Sequence, residues 1–235
     1  MWIFRRHVLP RLQVNFNNAP YVAPLMQSSM LLYSMIAALT AVGAWTRYAE
    51  VSRIVSAEAT AITTLWRDLG GYPEPLGGSM QEVLRGYTDQ VINGAWPQLK
   101  RGQIPSEGVA WMDQLQSLLY AFEPATEGQK VLHAETLRAF NNLIEQRRQR
   151  LDAARTGLPG VFWFVLLGGA VAGITLGSFF YVENARLQAA MLLGLAASLA
   201  MVLLVIFALD TPFTGDISIG PDSYQLIYDQ HMTGA

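Results

Sequence analysis

The most constraining feature of the sequence is an uncharged stretch of about twenty residues, from Leu25 to Trp45. At about 1.5 Å per residue it forms roughly 30 Å of helix, which matches the hydrocarbon core of a bilayer. The stretch also contains serine, threonine, alanine and glycine, which suit a helix that contacts other helices or lines an aqueous path. It therefore predicts a membrane helix that faces a protein interior. Both a pore-lining helix and an ordinary packed helix remain open.

The composition fits a membrane protein and excludes several kinds of site. Hydrophobic residues make up 51% of the 235 residues and charged residues 14%, against roughly 25% charged in soluble domains. The formal net charge of −2 offers no basic excess for nucleic-acid phosphates, so no nucleic-acid partner is expected. The sequence contains no cysteine, which excludes disulfides, zinc–thiolate sites and cysteine nucleophiles.

The pattern predicts an all-α integral membrane protein with three membrane helices and a cytosolic helical domain inserted between the first and second. The chain begins with an interfacial segment that mixes three arginines with apolar side chains. The first membrane helix continues as one helix to about Asp68, where two glycines and two prolines end it. A membrane hairpin and an acidic tail follow the helical domain. The five segments are 1–20, 21–47, 48–157, 158–210 and 211–235.

Two capping boxes mark helices in the inserted domain. Ser79 with Glu82 and Thr126 with Gln129 have the required spacing. They predict helices to about Trp96 and about Thr156, with a loop from Pro97 to Pro105 and another helix from about 106 to 122. In the tail, residues 218–227 are predicted to form a short strand or an extended arm.

The hairpin carries small residues at a spacing of four, which lets two helix backbones approach closely. The predicted membrane helices are 161–181 and 187–209. The stripes are interpreted as helix-packing faces, and a glycine hinge is the alternative. The packing residues are Gly169, Gly173, Gly177 and Gly194.

Basic residues predict the orientation. Arg47 and Arg53 follow the first membrane helix, and four arginines from Arg147 to Arg155 precede the second. The positive-inside rule places the helical domain and the tail in the cytoplasm. The same rule disfavours export of the N-terminal arginines, which conflicts with three spans.

No arrangement in the sequence predicts an enzyme, a cofactor or a metal. Phosphate-binding loops, nucleophile elbows and paired-histidine helices are missing. Glu58 and Asp68 are carboxylates on the long helix, and a solvated or salt-bridged face explains them best. The arginines at Arg147, Arg148 and Arg150 are interpreted as a topological and headgroup-binding cluster.

Four stretches, in order and spacing, resemble the bestrophin-like domain family of bacterial membrane proteins, whose members are largely uncharacterised. The resemblance covers most of residues 25–228. The stretches are Leu32 to Tyr48 with Glu58-Ala59; Tyr87, Val91, Ala95-Trp96-Pro97 and Gly102; Arg147 to Leu151 with Gly157-Leu158-Pro159 and Trp163; and Leu209 to Gly215.

That family is distantly similar to the bestrophin channels, which are pentameric anion channels with four membrane helices per subunit. The resemblance implies that Leu25–Trp45 corresponds to their pore-lining helix. Where animal bestrophins carry an acidic calcium clasp, this sequence has only Asp216 followed by Ile-Ser-Ile. No calcium gating is therefore expected, and one membrane helix of the channels has no counterpart among the three spans.

The resulting hypothesis is a homo-oligomeric, pentameric ion channel that prefers anions, with lipids, other copies of the chain and inorganic ions as partners. Arg47 would form a positive ring at the pore mouth, which Glu50 would partly offset. The alternative is a non-conducting membrane scaffold or sensor whose helical domain binds a partner. The residues expected to line or constrict the pore are Met30, Tyr33, Ala37, Thr40 and Ala41.

Overall fold

The computed structural model describes residues 19–106, 108–180, 184–215 and 217–233, and within these ranges every regular element is a helix. The all-α class is therefore confirmed. Three helices are long and apolar enough to cross a membrane. The helices are α1 Ala19–Leu69, α2 Leu76–Asp89, a π-helical segment Gln90–Ala95, α3 Trp96–Lys100, α4 Gly108–Tyr120, α5 Glu127–Arg155, α6 Gly160–Ser178, α7 Ala185–Asp210 and α8 Asp222–His231.

Helix α1 contains 51 residues without interruption, which confirms the expectation of one helix that continues past Trp45. Pro24 lies inside the helix, just after its first turn, where its missing N–H leaves the carbonyl of Pro20 without an i+4 backbone donor. The helix ends at Leu69, and Gly70 and Gly71 form the turn that follows. The chain forms two compact units, one of residues 1–46 with 158–210 and one of 47–157 with 211–235.

The second unit, called here the helical domain, has one continuous apolar core. It is built from α2 to α5, the later part of α1, and the C-terminal residues. The capping box at Thr126 is confirmed, because its side chain accepts a hydrogen bond from the Gln129 N–H and the Gln129 side chain bonds back. The box at Ser79 is not used, since α2 already begins at Leu76.

Two expectations for this unit are wrong. Pro97 is not in a loop but in the first turn of α3, after the π-helical segment. The wider π turn lets the chain pass a residue that cannot donate a backbone hydrogen bond. The tail is not an extended arm, because residues 222–231 form α8, and Phe213, Tyr224 and Met232 are buried in the core of this unit.

The first unit contains the hairpin of α6 and α7. The carboxylate of Asp210, the last residue of α7, links the two helices. Its Oδ1 accepts from the Leu158 N–H at 2.7 Å, and its Oδ2 accepts from Trp163 Nε1 at 3.3 Å. These bonds occupy a backbone donor just before the start of α6, where helices leave such groups unpaired. The predicted interfacial segment, apart from its last two residues, and Asp216 lie outside the described residues.

Candidate functional site

The residues predicted to line a pore do not lie on an open face of α1. Tyr33, Ala37 and Thr40 are buried, with exposed fractions of 7%, 3% and 4%. Met30 and Ala41 are half-buried. A side chain enclosed by the helices of its own chain does not reach an aqueous path outside that chain. Three of the five residues are therefore covered by the chain's own helices, and the pore lining stays a prediction.

Glycines of α6 explain why this face of α1 is buried. A methyl group at Gly169 would overlap the ring of Tyr33, and one at Gly173 would stand 2.5 Å from the Met30 Cε. Gly177 lies next to Met26 and to leucines of α7. Because glycine has no Cβ, large side chains of α1 fill the space above each of these positions. Gly194 differs, since a methyl group there would meet nothing within 4 Å.

The remaining surface of α1 has one face that carries small and polar side chains beside Leu31 and Trp45, and one apolar face. Gln27, Ser34 and Ala38 are exposed and share a face with the half-buried Ala41, since their spacing follows the helical repeat. On the other side, Leu32 and Leu39 are about two-thirds exposed, at 65% and 64%. Leucine faces suit lipid or another subunit, whereas the Gln27–Ala41 face suits water.

Arg47 and Glu50, predicted to meet at a pore mouth, have different partners. The Arg47 Nη2 donates to the carbonyl oxygen of Ala153 at 3.3 Å and to Thr156 Oγ1 at 3.2 Å. The guanidinium thus occupies the C-terminal end of α5, where the helix dipole favours a cation. Glu50 instead forms a two-pronged pair with Arg53. Glu50 therefore offsets Arg53 rather than Arg47.

Glu58 is salt-bridged, as predicted, but it is buried rather than on a solvated face. Its carboxylate accepts from Arg150 Nε at 2.6 Å and from Arg150 Nη2 at 3.2 Å, and Tyr87 Oη donates to it at 2.6 Å. Glu58 and Arg150 are 0% and 1% exposed. A buried pair of this kind is tolerated only because the carboxylate oxygens are hydrogen-bonded as well as paired.

Aromatic side chains complete the surroundings of the pair. The Arg150 guanidinium carbon lies 5.7 Å from the centre of the Trp96 ring and 6.0 Å from that of Tyr224, within cation–π range. Trp96 Nε1 donates to the carbonyl oxygen of Ile219 at 3.1 Å, which ties the tail to this core. Burial, and next the Glu58 carboxylate, raise the pKa values of Tyr87 and Tyr224, so both phenols stay protonated.

Sequence reasoning missed the burial of Arg150, which it grouped with the surface cluster at Arg147 and Arg148. A signal was present. Glu58 falls in a stripe of buried residues spaced by three and four, Val51, Val55, Glu58, Ile62 and Leu65. A carboxylate inside such a stripe must be buried and therefore needs a cation. The identity of that cation, 92 positions away, could not be read from local spacing.

The fold defines an all-helical membrane protein whose described residues include three helices long and apolar enough to cross a membrane. The family model of the bestrophin-like domain matches residues 1–224. The chain belongs to the bestrophin-like family, and the resemblance noted in the sequence is confirmed.

Solved structures share the fold at low sequence identity. A bacterial bestrophin homologue from Klebsiella pneumoniae has a TM-score of 0.69 at 14% identity, with 99% of this chain and 94% of that chain covered. Another crystal structure, described as that of a membrane protein, has a TM-score of 0.71 at 14% identity, with 90% and 87% covered. None of the curated proteins matches.

Proposed function

We propose that the protein is a homo-oligomeric ion channel, formed by a ring of five copies, in which α1 lines the pore. One observation carries the proposal. Within the uncharged stretch Leu25–Trp45, the exposed residues Gln27, Ser34 and Ala38 share a face that the chain's own helices leave uncovered. The likeness to the pentameric bestrophin channels supports the ring. Side chains without charge give a pore that gates by width and wetting.

The proposed preference is for anions. Arg47 follows the uncharged stretch by two residues, and Glu50, one turn further on, is paired with Arg53. Five copies would place five Arg47 charges around the axis, which raises the local concentration of anions. The positive-inside rule supports a bacterial inner membrane with the helical domain and C-terminus in the cytoplasm.

Cysteine scanning tests the pore face, and the absence of native cysteine makes every introduced thiol unique. Protein in planar bilayers would be treated with a charged, water-soluble thiol reagent. Modification of Ser34→Cys or Ala38→Cys should reduce the conductance by more than half. The buried Ala37→Cys and the apolar-face Leu39→Cys are matched controls and should not respond. A reduced conductance in Ala37→Cys but not in Ser34→Cys would mean that the buried face of α1 lines the pore.

Ion selectivity tests the role of Arg47. Arg47→Gln keeps a donor for the Ala153 carbonyl but removes the charge, so the anion-to-cation permeability ratio should fall. The double substitution Glu50→Gln with Arg53→Gln removes a neutral pair and should leave the ratio unchanged. Ordered oligomers that pass no ions at any voltage, pH or calcium concentration would instead favour the non-conducting scaffold.

A further inference from the structure

Arg150 has one nitrogen that the buried ion pair does not use. Glu58 occupies Nε and Nη2, while Nη1 is buried and has no hydrogen-bond partner among the described residues. A buried donor without a partner destabilises the fold, so native proteins usually supply one, and a bound water molecule or ion is one such partner.

The same arginine lines a small cavity inside the helical domain. The cavity has a volume of about 10 Å³, and Tyr87, Gln90, Gly108 and Arg147 also line it. This volume holds about one particle of the size of a water molecule. Gln90 belongs to the π-helical segment, a distortion that often occurs at functional sites.

The charges around the cavity favour an anion over a water molecule. Arg147 and Arg150 each contribute one positive charge, and Glu58 contributes the one negative charge of the pair, which leaves one positive charge in excess in this group. The Arg147 Nε and Nη2 atoms lie 3.4 Å from the position of a methyl group on Gly108. Gly108, which also lines the cavity, is the first residue of α4, and the dipole of a helix start attracts negative charge.

We propose that this cavity binds one small monovalent inorganic anion of halide size, such as chloride, held by Arg150 Nη1, Arg147 and the start of α4. Larger oxyanions such as phosphate exceed the space. The site lies within one helical domain, so the proposal does not depend on whether the protein conducts ions.

Equilibrium dialysis of radiolabelled chloride tests the proposal on the full chain in detergent, in sulfate buffer of constant ionic strength. We expect saturable binding of about one chloride per chain. Arg147→Gln should weaken the binding at least tenfold, because Arg147 lines the cavity but takes no part in the pair with Glu58. Arg148→Gln, at the adjacent exposed position, is the matched control and should bind as the native protein does.

Several outcomes would overturn the assignment. No saturable chloride binding would mean that the cavity holds only water. Equal losses in Arg147→Gln and Arg148→Gln would mean diffuse electrostatic attraction rather than a site. Glu107 lies outside the described residues. Chloride binding that occurs only in the Glu107→Gln variant would mean that the Glu107 carboxylate, and not a bound anion, supplies the negative charge in the native protein. Bromide diffraction offers a second readout, with an anomalous peak expected between Arg147 and Arg150.

Discussion

Helix α1 has two parts whose buried residues recur at the same helical spacing but whose exposed surfaces differ in composition. Before Thr46 the buried positions include Tyr33, Ala37 and Thr40, and most of the large exposed side chains are leucine, isoleucine or methionine. After Thr46 the buried positions include Val55 and Ile62, and the exposed ones carry hydroxyls and charges. The spacing of the buried residues therefore indicates which face of the helix is packed. The composition of the exposed face indicates its surroundings, which are lipid or other subunits for the first part and water for the second.

The two parts also hold their partners by different means. The first part is held by close packing, since its large side chains lie against glycines of α6. The second part relies on charge, since Glu58 binds Arg150 inside the core. Overfilling a packed space and removing a counter-charge destabilise a protein by different mechanisms. Substitutions can therefore distinguish the two kinds of contact.

The largest effect is expected at the buried ion pair. Glu58→Leu leaves Arg150 buried without a counter-charge, and Arg150→Met leaves Glu58 in the same state. Each single substitution should lower the free energy of unfolding by about 3–5 kcal/mol, whereas the double substitution Glu58→Leu with Arg150→Met should recover most of the loss. Denaturant unfolding in detergent micelles measures this cycle. Single losses below about 1 kcal/mol would show that the pair is solvated.

Overfilling the glycine face should have the next largest effect. Gly169→Leu forces a side chain into the space of the Tyr33 ring, which should cost about 1–3 kcal/mol. Gly194→Leu is the matched control, because open space surrounds that position, and it should leave stability unchanged. Equal losses at both positions would refute the close contact between α6 and α1.

The buried phenols predict a loss of stability in alkali. Burial holds the pKa of Tyr87 above its usual value near 10. Because the pKa of Tyr87 is higher in the folded state than in the unfolded state, the phenol of the unfolded chain loses its proton first as the pH rises. The free energy of unfolding is therefore constant below a pH of about 10 and falls above it. One such tyrosine contributes a slope of about 1.4 kcal/mol per pH unit. Tyr87→Phe should reduce the slope measured between pH 9 and about 11, while the exposed Tyr120→Phe should not.

The smallest effect is expected where α1 contacts the end of α5. Arg47→Ala removes the bonds to the Ala153 carbonyl and to Thr156, which should cost about 0.5–1.5 kcal/mol. Arg53→Ala, which breaks only an exposed pair, should not change the unfolding midpoint. A loss at Arg53 that matches the loss at Arg47 would mean that Arg47 acts only as a surface charge.

Local patterns predicted the helices better than the faces. The length of α1 and the capping box at Thr126 follow from residues close in sequence. The face that meets water is harder to predict, because hydroxyl groups occur on buried and exposed faces of a helix alike. Ser28 donates to the Pro24 carbonyl and Thr40 to the Ile36 carbonyl, so each is satisfied by its own helix whichever way it faces.

Partners distant in sequence were the second limit. Arg150 and the tail residue Ile219 contact Glu58 and Trp96, respectively, across 92 and 123 positions. Only the packed domain brings these groups together. The helix of residues 222–231 likewise depends on the burial of Tyr224 in the core of the domain, and the local spacing of residues does not predict that burial.

Imaging of single particles in lipid nanodiscs tests the central claim most directly. The account predicts a ring of five chains with the face of Ser34 and Ala38 turned toward the central axis and the Leu32 and Leu39 face turned away from it. A monomer or dimer that persists in lipid, or a ring in which the Ser34 face points away from the axis, would contradict it.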